Sequence, residues 1–163
     1  MEQERRNRGP EAARLETVLS MSSASIKYGF GATREVGYDM RELGARRVLV
    51  VTDRRVATLE PVAVALESLR REGLDAVLYS QARVEPTDTS FKEAIRIAQD
   101  GRFDGYVGVG GGSSIDAVKA ANLYATYPAY FLTYVNAPIG KGTPVPGPLK
   151  PMIGIPTTAG TGS

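Results

Sequence analysis

Three consecutive glycines, Gly110 to Gly112, stand between a short apolar run and a helix-like one. Tyr106, Val107, Gly108 and Val109 lead in; Ser113, Ser114, Ile115, Asp116, Ala117, Val118 and Lys119 lead out. Without Cβ atoms, backbone can approach an anion closely here, and a helix beginning near Ser113 would turn its first N–H groups and positive dipole end toward it. The run reads as a phosphate cradle. Gly108 and Gly110 have the first spacing of the dinucleotide fingerprint, but Ser113 stands at the third glycine position and the P-loop lysine is absent. A tight turn with close helix packing fits the same residues, so two readings stand.

The rest of the pattern places that turn in an alternating fold. Ser25 to Tyr28 reads as a short edge strand ending at Gly29 and Gly31. Thr33 suits an N-cap for a helix from about Arg34 to Leu43, with Gly44 as its C′ residue. Val48 to Val51 is a strand buried on both faces, ending at Thr52-Asp53. Pro61 opens a helix with Val62, Leu66 and Leu69 on one face, Gly73 closes it, and Ala76 to Leu78 follows as a strand. Thr87 or Asp88 caps the next helix, with Phe91, Ile95 and Ala98 inward and Gly101 beyond its end. Strand 105–109, the glycines, a helix to about Thr126 and a strand from Pro151 to Ile155 complete the order. Alternation of this kind predicts an α/β, Rossmann-like, mostly parallel sheet with helices on both faces. Between Pro128 and Lys150 seven prolines and glycines break any periodicity, which predicts a long irregular excursion.

Composition narrows the chemistry. The chain has 163 residues, 42% apolar and 23% charged, as expected of one globular domain. Twenty basic against 18 acidic residues give a net charge of +2 without a basic run, which argues against nucleic acid as a partner. Cysteine and histidine are both absent, so no disulfide, no metal site with nitrogen or sulfur ligands and no Ser/His/Asp base can arise within these residues. The first 20 residues mix Arg5, Arg6, Arg8 and Arg14 with Glu2, Glu4, Glu11 and Glu16 and hold no apolar core, which reads as a cytoplasmic protein with a flexible segment over residues 1–22. No apolar run approaches the ~20 residues of a membrane span.

Several polar residues are candidates for ligand contact. Asp53 lies at the carboxyl end of a buried strand, where doubly wound sheets bind ligands, and its two oxygens suit the paired hydroxyls of a ribose. A 2′-phosphate would meet like charge there, so NAD is preferred over NADP; capping a turn is the plainer role. Asp116, three residues after Ser113, has capping-box spacing, and as a ligand contact it would have to face the nicotinamide or substrate end. Thr157, Thr158, Thr161 and Ser163 offer hydroxyls on a turn loosened by Gly160 and Gly162, just past a strand.

Taken together, Asp53 after Val50-Val51-Thr52, the run Gly110 to Lys119, and Pro156 to Ser163 resemble the iron-containing (group III) alcohol dehydrogenase family. Arg83 to Asp88, Lys119 to Ala125 and Ala137 to Gly142 are similar to its hydroxyacid-oxoacid transhydrogenase branch. The resemblance implies an N-terminal NAD-binding domain over residues 23–163 of a two-domain, dehydroquinate synthase-like protein, with the helical domain that carries an Asp and three His ligands for iron or zinc absent from this sequence. It implies that Asp53 holds the adenosine ribose, that Gly111, Gly112 and Ser113 hold the pyrophosphate, that Thr157, Thr158 and Thr161 hold further parts of the cofactor, and that Asp116 lies near the nicotinamide side. Glu85 stands where many members have Asn, and the stretch from Thr126 to Phe131 is shorter than the branch would have it.

The implied activity is hydride transfer between a hydroxyacid such as 4-hydroxybutyrate and an oxoacid such as 2-oxoglutarate, or NAD-dependent alcohol oxidation, in a homodimeric parent acting on small molecules. The chain by itself is expected to be inactive. The competing reading is a stand-alone nucleotide-binding module without catalytic activity.

Overall fold

A computed structural model describes residues 24–83 and 88–159. The flexible segment expected over residues 1–22, the Thr87 cap, Glu85 and Thr161 lie outside them. The elements run in the expected alternation: a 3₁₀ turn (Ala32–Glu35), α1 (Val36–Glu42), β1 (Arg47–Asp53), a 3₁₀ turn (Val56–Thr58), α2 (Glu60–Arg71), β2 (Asp75–Ala82), α3 (Asp88–Gly101), β3 (Gly105–Gly110), α4 (Gly112–Thr126) and β4 (Met152–Pro156). The four strands form one sheet in the order β2-β1-β3-β4, and every pairing is parallel.

Side-chain alternation along β1 explains the two helical layers. Val48 and Val50 pack with Val36 and Met40 of α1 and with Val62, Ala65 and Leu69 of α2. Leu49 and Val51 pack on the other face with Ala94 and Ala98 of α3 and with Ala117, Val118 and Ala121 of α4. A strand buried on both faces is therefore apolar from Val48 to Val51, and burial extends through Thr52.

The ends of α1 and α2 follow one device. Gly44 and Gly73 adopt φ of 84° and 77°. The residue after each, Ala45 or Leu74, donates its N–H back to Met40 or Leu69 at 3.0 and 3.1 Å, closing the helix as the sequence anticipates.

Other boundaries differ from the sequence reading. Thr33 is not an N-cap: it lies inside a 3₁₀ turn whose cap is Gly31, and α1 begins only at Val36. Ser25 to Tyr28 forms no strand, because strand-forming residues need a partner ladder and this segment has none. Lys27 instead reaches Glu35 and Asp39, both at 2.7 Å, and Ile26 and Tyr28 stay exposed. Gly101 ends α3 rather than following it. The left-handed position falls to Arg102, φ 51°, while a Cβ on Gly101 would stand 2.1 Å from the Phe103 ring. That glycine makes room for a buried aromatic side chain.

Residues 128–150 contain no helix or strand, as anticipated. The excursion is folded on itself by backbone bonds, Lys141 N–H to Leu132 O and Gly142 N–H to Val135 O, both 2.8 Å. It is tied to α4 by the buried Asn122, whose Nδ2 donates to Lys150 O at 2.8 Å, and by the Tyr124 hydroxyl, which donates to Phe131 O. Tyr124 also meets the rings of Phe131 and Tyr134 at 5.7 and 5.3 Å between centroids.

Candidate functional site

The carboxyl ends of β1, β3 and β4 bring Asp53, the glycine turn, Thr157 and Thr158 to one edge of the sheet. Register sets this: Val51 pairs with Gly108 and Gly110 with Pro156, so Asp53, the glycine turn and Thr157 leave the sheet at the same edge. Thr157 N–H donates to Gly110 O at 3.0 Å, fastening the second turn to the first.

Asp53 does cap a turn. Its Oδ1 accepts from the backbone N–H groups of Arg55 at 2.8 Å and Val56 at 3.0 Å, organising the 3₁₀ turn after β1. Its other oxygen points the opposite way, with Oδ2 3.8 Å from where a Cβ on Gly110 would stand. One oxygen thus holds the fold and the second faces the glycine turn.

The glycines divide by function. A Cβ on Gly108 would sit 2.6 Å from Val118 Cγ1, so this residue lets α4 lie close on β3. Gly110 has φ 149°, and a Cβ there would come within 2.6 Å of Ser114 Oγ, a buried side chain. Both the tight-turn and the close-packing readings therefore apply, at these two positions. Gly111 is different: its φ of −75° and ψ of −178° are open to any residue, and a Cβ would meet only Thr158, at 3.7 Å. Among the described residues nothing in the packing requires glycine there, and the space it leaves lies at the start of α4.

Gly111 is also the N-cap of α4, and its carbonyl accepts from Ser114 N–H at 3.1 Å and Ile115 N–H at 3.2 Å. Gly112 and Ser113 are the first two helical residues. The N-cap of α4 is Gly111 rather than Ser113, so Asp116 lies outside the position a capping box would use at that cap. Asp116 is instead exposed and accepts from Lys119 Nζ at 3.3 Å, an exposed ion pair.

Asp116 and Lys119 also border an apolar groove of about 430 Å³ lined by Phe91, Leu123, Tyr124 and Phe131. That groove includes neither Asp53 nor the glycines nor the two threonines. Ser114 escaped the sequence reading, although a small residue four positions after Gly110 is the signal that the turn folds against its own helix. Among the described residues no cluster of three or more acidic side chains is arranged to hold a metal ion, and no helix is long and apolar enough to cross a membrane.

Comparison with known proteins fits this architecture. The family model for iron-containing alcohol dehydrogenase matches residues 23–163. Hydroxyacid-oxoacid transhydrogenase, mitochondrial, from Mus musculus is 51% identical over 156 residues, covering 95% of this chain and 34% of the relative. The Homo sapiens protein of the same name is 52% identical over 155 residues, covering 94% and 33%. The chain thus spans about a third of the length of the curated relatives it matches. Among solved structures, a 1,3-propanediol oxidoreductase superposes with TM-score 0.73 at 28% identity, over 82% of this chain and 34% of that one. An archaeal halo-thermophilic alcohol dehydrogenase from a Red Sea brine pool superposes with TM-score 0.75 at 26% identity, over 92% and 38%.

These relatives also correct one expectation. A cytoplasmic protein, inferred from acidic residues near the N-terminus, conflicts with relatives at half identity that are mitochondrial. The charge of a short terminal stretch reports on that stretch alone, whereas the compartment belongs to the whole protein. With a matching model over residues 23–163 and the same parallel sheet, the chain belongs to the iron-containing alcohol dehydrogenase family.

Proposed function

We propose that residues 23–163 form the NAD-binding domain of an oxidoreductase that moves hydride between a hydroxyacid, such as 4-hydroxybutyrate, and an oxoacid, such as 2-oxoglutarate. The observation that carries this reading is Gly111. A glycine that neither its backbone angles nor its neighbours among the described residues demand points to something outside the chain that must approach its backbone, and the adjoining helix start suits the pyrophosphate of a dinucleotide. Fit to the cofactor follows from the same edge: an open place at Gly111, a carboxylate oxygen of Asp53 turned toward Gly110, and the Thr158 hydroxyl beside Gly111.

In this reading Gly111, Gly112 and Ser113 bind the pyrophosphate through backbone amides, and Asp53 Oδ2 accepts from the adenosine ribose. Thr157 and Thr158 hold the cofactor from the β4 side, joined by Thr161, and Asp116 belongs to the nicotinamide side. When bound, NAD supplies the hydride acceptor and an iron or zinc ion, with ligands outside these residues, supplies a Lewis acid. The work of this chain is to bind and orient, so that the nicotinamide is presented in one pose to a site completed elsewhere in the protein.

Gly111→Ala tests the reading directly. Because the fold tolerates a Cβ there, the melting temperature should stay within a few degrees, while NAD affinity measured by calorimetry on the full-length protein should fall at least tenfold. Unchanged affinity would remove the main support for a cofactor at this turn.

A further inference from the structure

The layer formed by α1 and α2 carries a cleft of its own, between the first 3₁₀ turn and α2. Its volume is about 260 Å³, and it is lined by Arg34, Val64, Glu67, Ser68 and Arg71. α1 and α2 cover the Val48 and Val50 face of the sheet, whereas the glycine turn leads into α4 on the opposite face. The cleft therefore shares no residue with the glycine turn or with Asp53.

The cleft is held in shape by polar contacts. Arg34 O accepts from Ser68 Oγ at 2.7 Å and from Arg71 Nη2 at 2.9 Å, and Ser68 Oγ accepts in turn from Gly37 N–H at 3.0 Å. Gly37 permits this approach, since a Cβ there would stand 2.1 Å from Ser68 O. The positive charge lining the cleft is not compensated. Glu67 stands four residues before Arg71 on α2, the spacing of a helical ion pair, yet among the described residues neither Arg71 nor Arg34 is paired with a carboxylate. Close by, Arg41 of α1 does pair with Glu72 at the end of α2.

Two guanidinium groups without carboxylate partners in one small cleft suit an oxyanion, because a planar fork of N–H donors matches its oxygens. Glu67 then selects among oxyanions. An ionised carboxylate only accepts, so it repels an anion unless that anion brings a hydrogen of its own. We propose that this cleft binds inorganic phosphate, with Arg34 and Arg71 donating to its oxygens and Glu67 accepting from its P–OH group. The site does not depend on the dinucleotide reading.

The test is calorimetry on the full-length protein at pH 8 and constant ionic strength, with inorganic phosphate, sulfate and methyl phosphate as probes. All three carry nearly the same charge there, and only inorganic phosphate keeps a P–OH. Phosphate should bind with a Kd of about 1 mM and the other two about tenfold more weakly. Arg34→Gln alters a side chain that makes no bond among the described residues, and it should weaken phosphate about tenfold. Glu67→Gln should erase the preference by raising sulfate and methyl phosphate to the level of phosphate. In Gly111→Ala, which disables the glycine turn, phosphate binding and its preference should persist. Binding lost in Gly111→Ala and kept in Arg34→Gln would put the anion at the glycine turn and overturn the proposal while the dinucleotide reading stands. Equal affinity for the three probes in the unaltered protein, or no phosphate binding at millimolar concentration, would overturn it as well.

Discussion

Two glycine-rich stretches of this chain use the same residue for opposite purposes. In β3 and the turn after it, Gly105 and Gly108 face side chains: added Cβ atoms would strike Ala45 Cβ at 2.7 Å and Val118 Cγ1 at 2.6 Å. In the excursion, Gly140 faces backbone, with a Cβ 2.2 Å from Val135 O and 2.6 Å from Leu132 O. The first stretch is thinned so that helices can press onto a central strand, which places the start of α4 at the carboxyl edge of the sheet. The second is thinned so that a loop can fold back across its own main chain. Glycine content alone does not separate a ligand turn from a compact loop; what lies opposite the missing Cβ does.

Gly110→Ala should break the first stretch most severely. It combines a backbone angle, φ 149°, that side chains rarely adopt with a collision against Ser114 at 2.6 Å to Oγ and 2.8 Å to Cβ. Strain and overpacking together should cost about 3 kcal/mol, a large share of the stability of a domain this size. Chemical denaturation should show that loss, and NAD binding should weaken with it. Gly111→Ala, one residue along, should lose binding while keeping stability, so the two adjacent variants separate a glycine of the fold from a glycine of the ligand. Equal stability losses in both would erase that distinction.

Between Gly105 and Gly108, Tyr106 gives a second handle on β3. Its ring is fully buried, its hydroxyl has no partner within hydrogen-bond reach, and burial, with Asp104 adding to it, pushes its pKa up to about 12. The folded pKa is raised above the ordinary value of 10.0, so the stabilising contribution is intact below about pH 10 and is lost as pH rises from there through 12, when only the unfolded chain ionises. Stability should fall by roughly 2 to 3 kcal/mol over that window, read as the urea midpoint against pH. Tyr106→Phe should flatten the decline, and because it also removes a buried hydroxyl without a partner it should cost little at pH 7. An alkaline decline of the same size in the variant would assign the effect to other groups, Tyr79 first, whose hydroxyl is likewise buried and raised.

Much of this was legible in residue order, and the errors share a cause. The Val48–Val51 run, the closing glycines Gly44 and Gly73 and the irregular excursion could be read because each is a property of a few adjacent residues. Two N-cap expectations missed by the same offset: Thr33 and Ser113 have the capping hydroxyl, yet the cap lies two residues earlier, at Gly31 and Gly111. Hydroxyl chemistry identifies a residue able to cap a helix but does not fix where the chain bends; at Gly31 the bend takes the left-handed backbone, φ 81°, that glycine adopts most readily. Ser25 to Tyr28 failed because a strand is a relation between segments and no single segment carries it. Asp53 and the glycine turn were visible separately. Their meeting with Thr158 needed the parallel register of β3 with β4, which only folding supplies.

The excursion should respond more weakly to the same substitution. Gly140→Ala puts a methyl group against two carbonyl oxygens of the loop's own backbone, so something must move. What moves is a segment whose bonds are local: Lys141 N–H to Leu132 O, Gly142 N–H to Val135 O and Thr143 N–H to Thr133 O, at 2.8, 2.8 and 3.0 Å. The ties to α4 through Asn122 and Tyr124 attach at Lys150 and Phe131, on either side of that fold-back, and can hold while it opens. The global cost should therefore be about 1 kcal/mol, the scale of a few exposed hydrogen bonds exchanged for water, with faster amide exchange confined to residues 132–143. NAD affinity should not change, since the carboxyl edge of the sheet is built from other elements. Loss of binding together with fast exchange in β4 would mean that the excursion holds the second turn in place, and the separation between the two stretches would have to be given up.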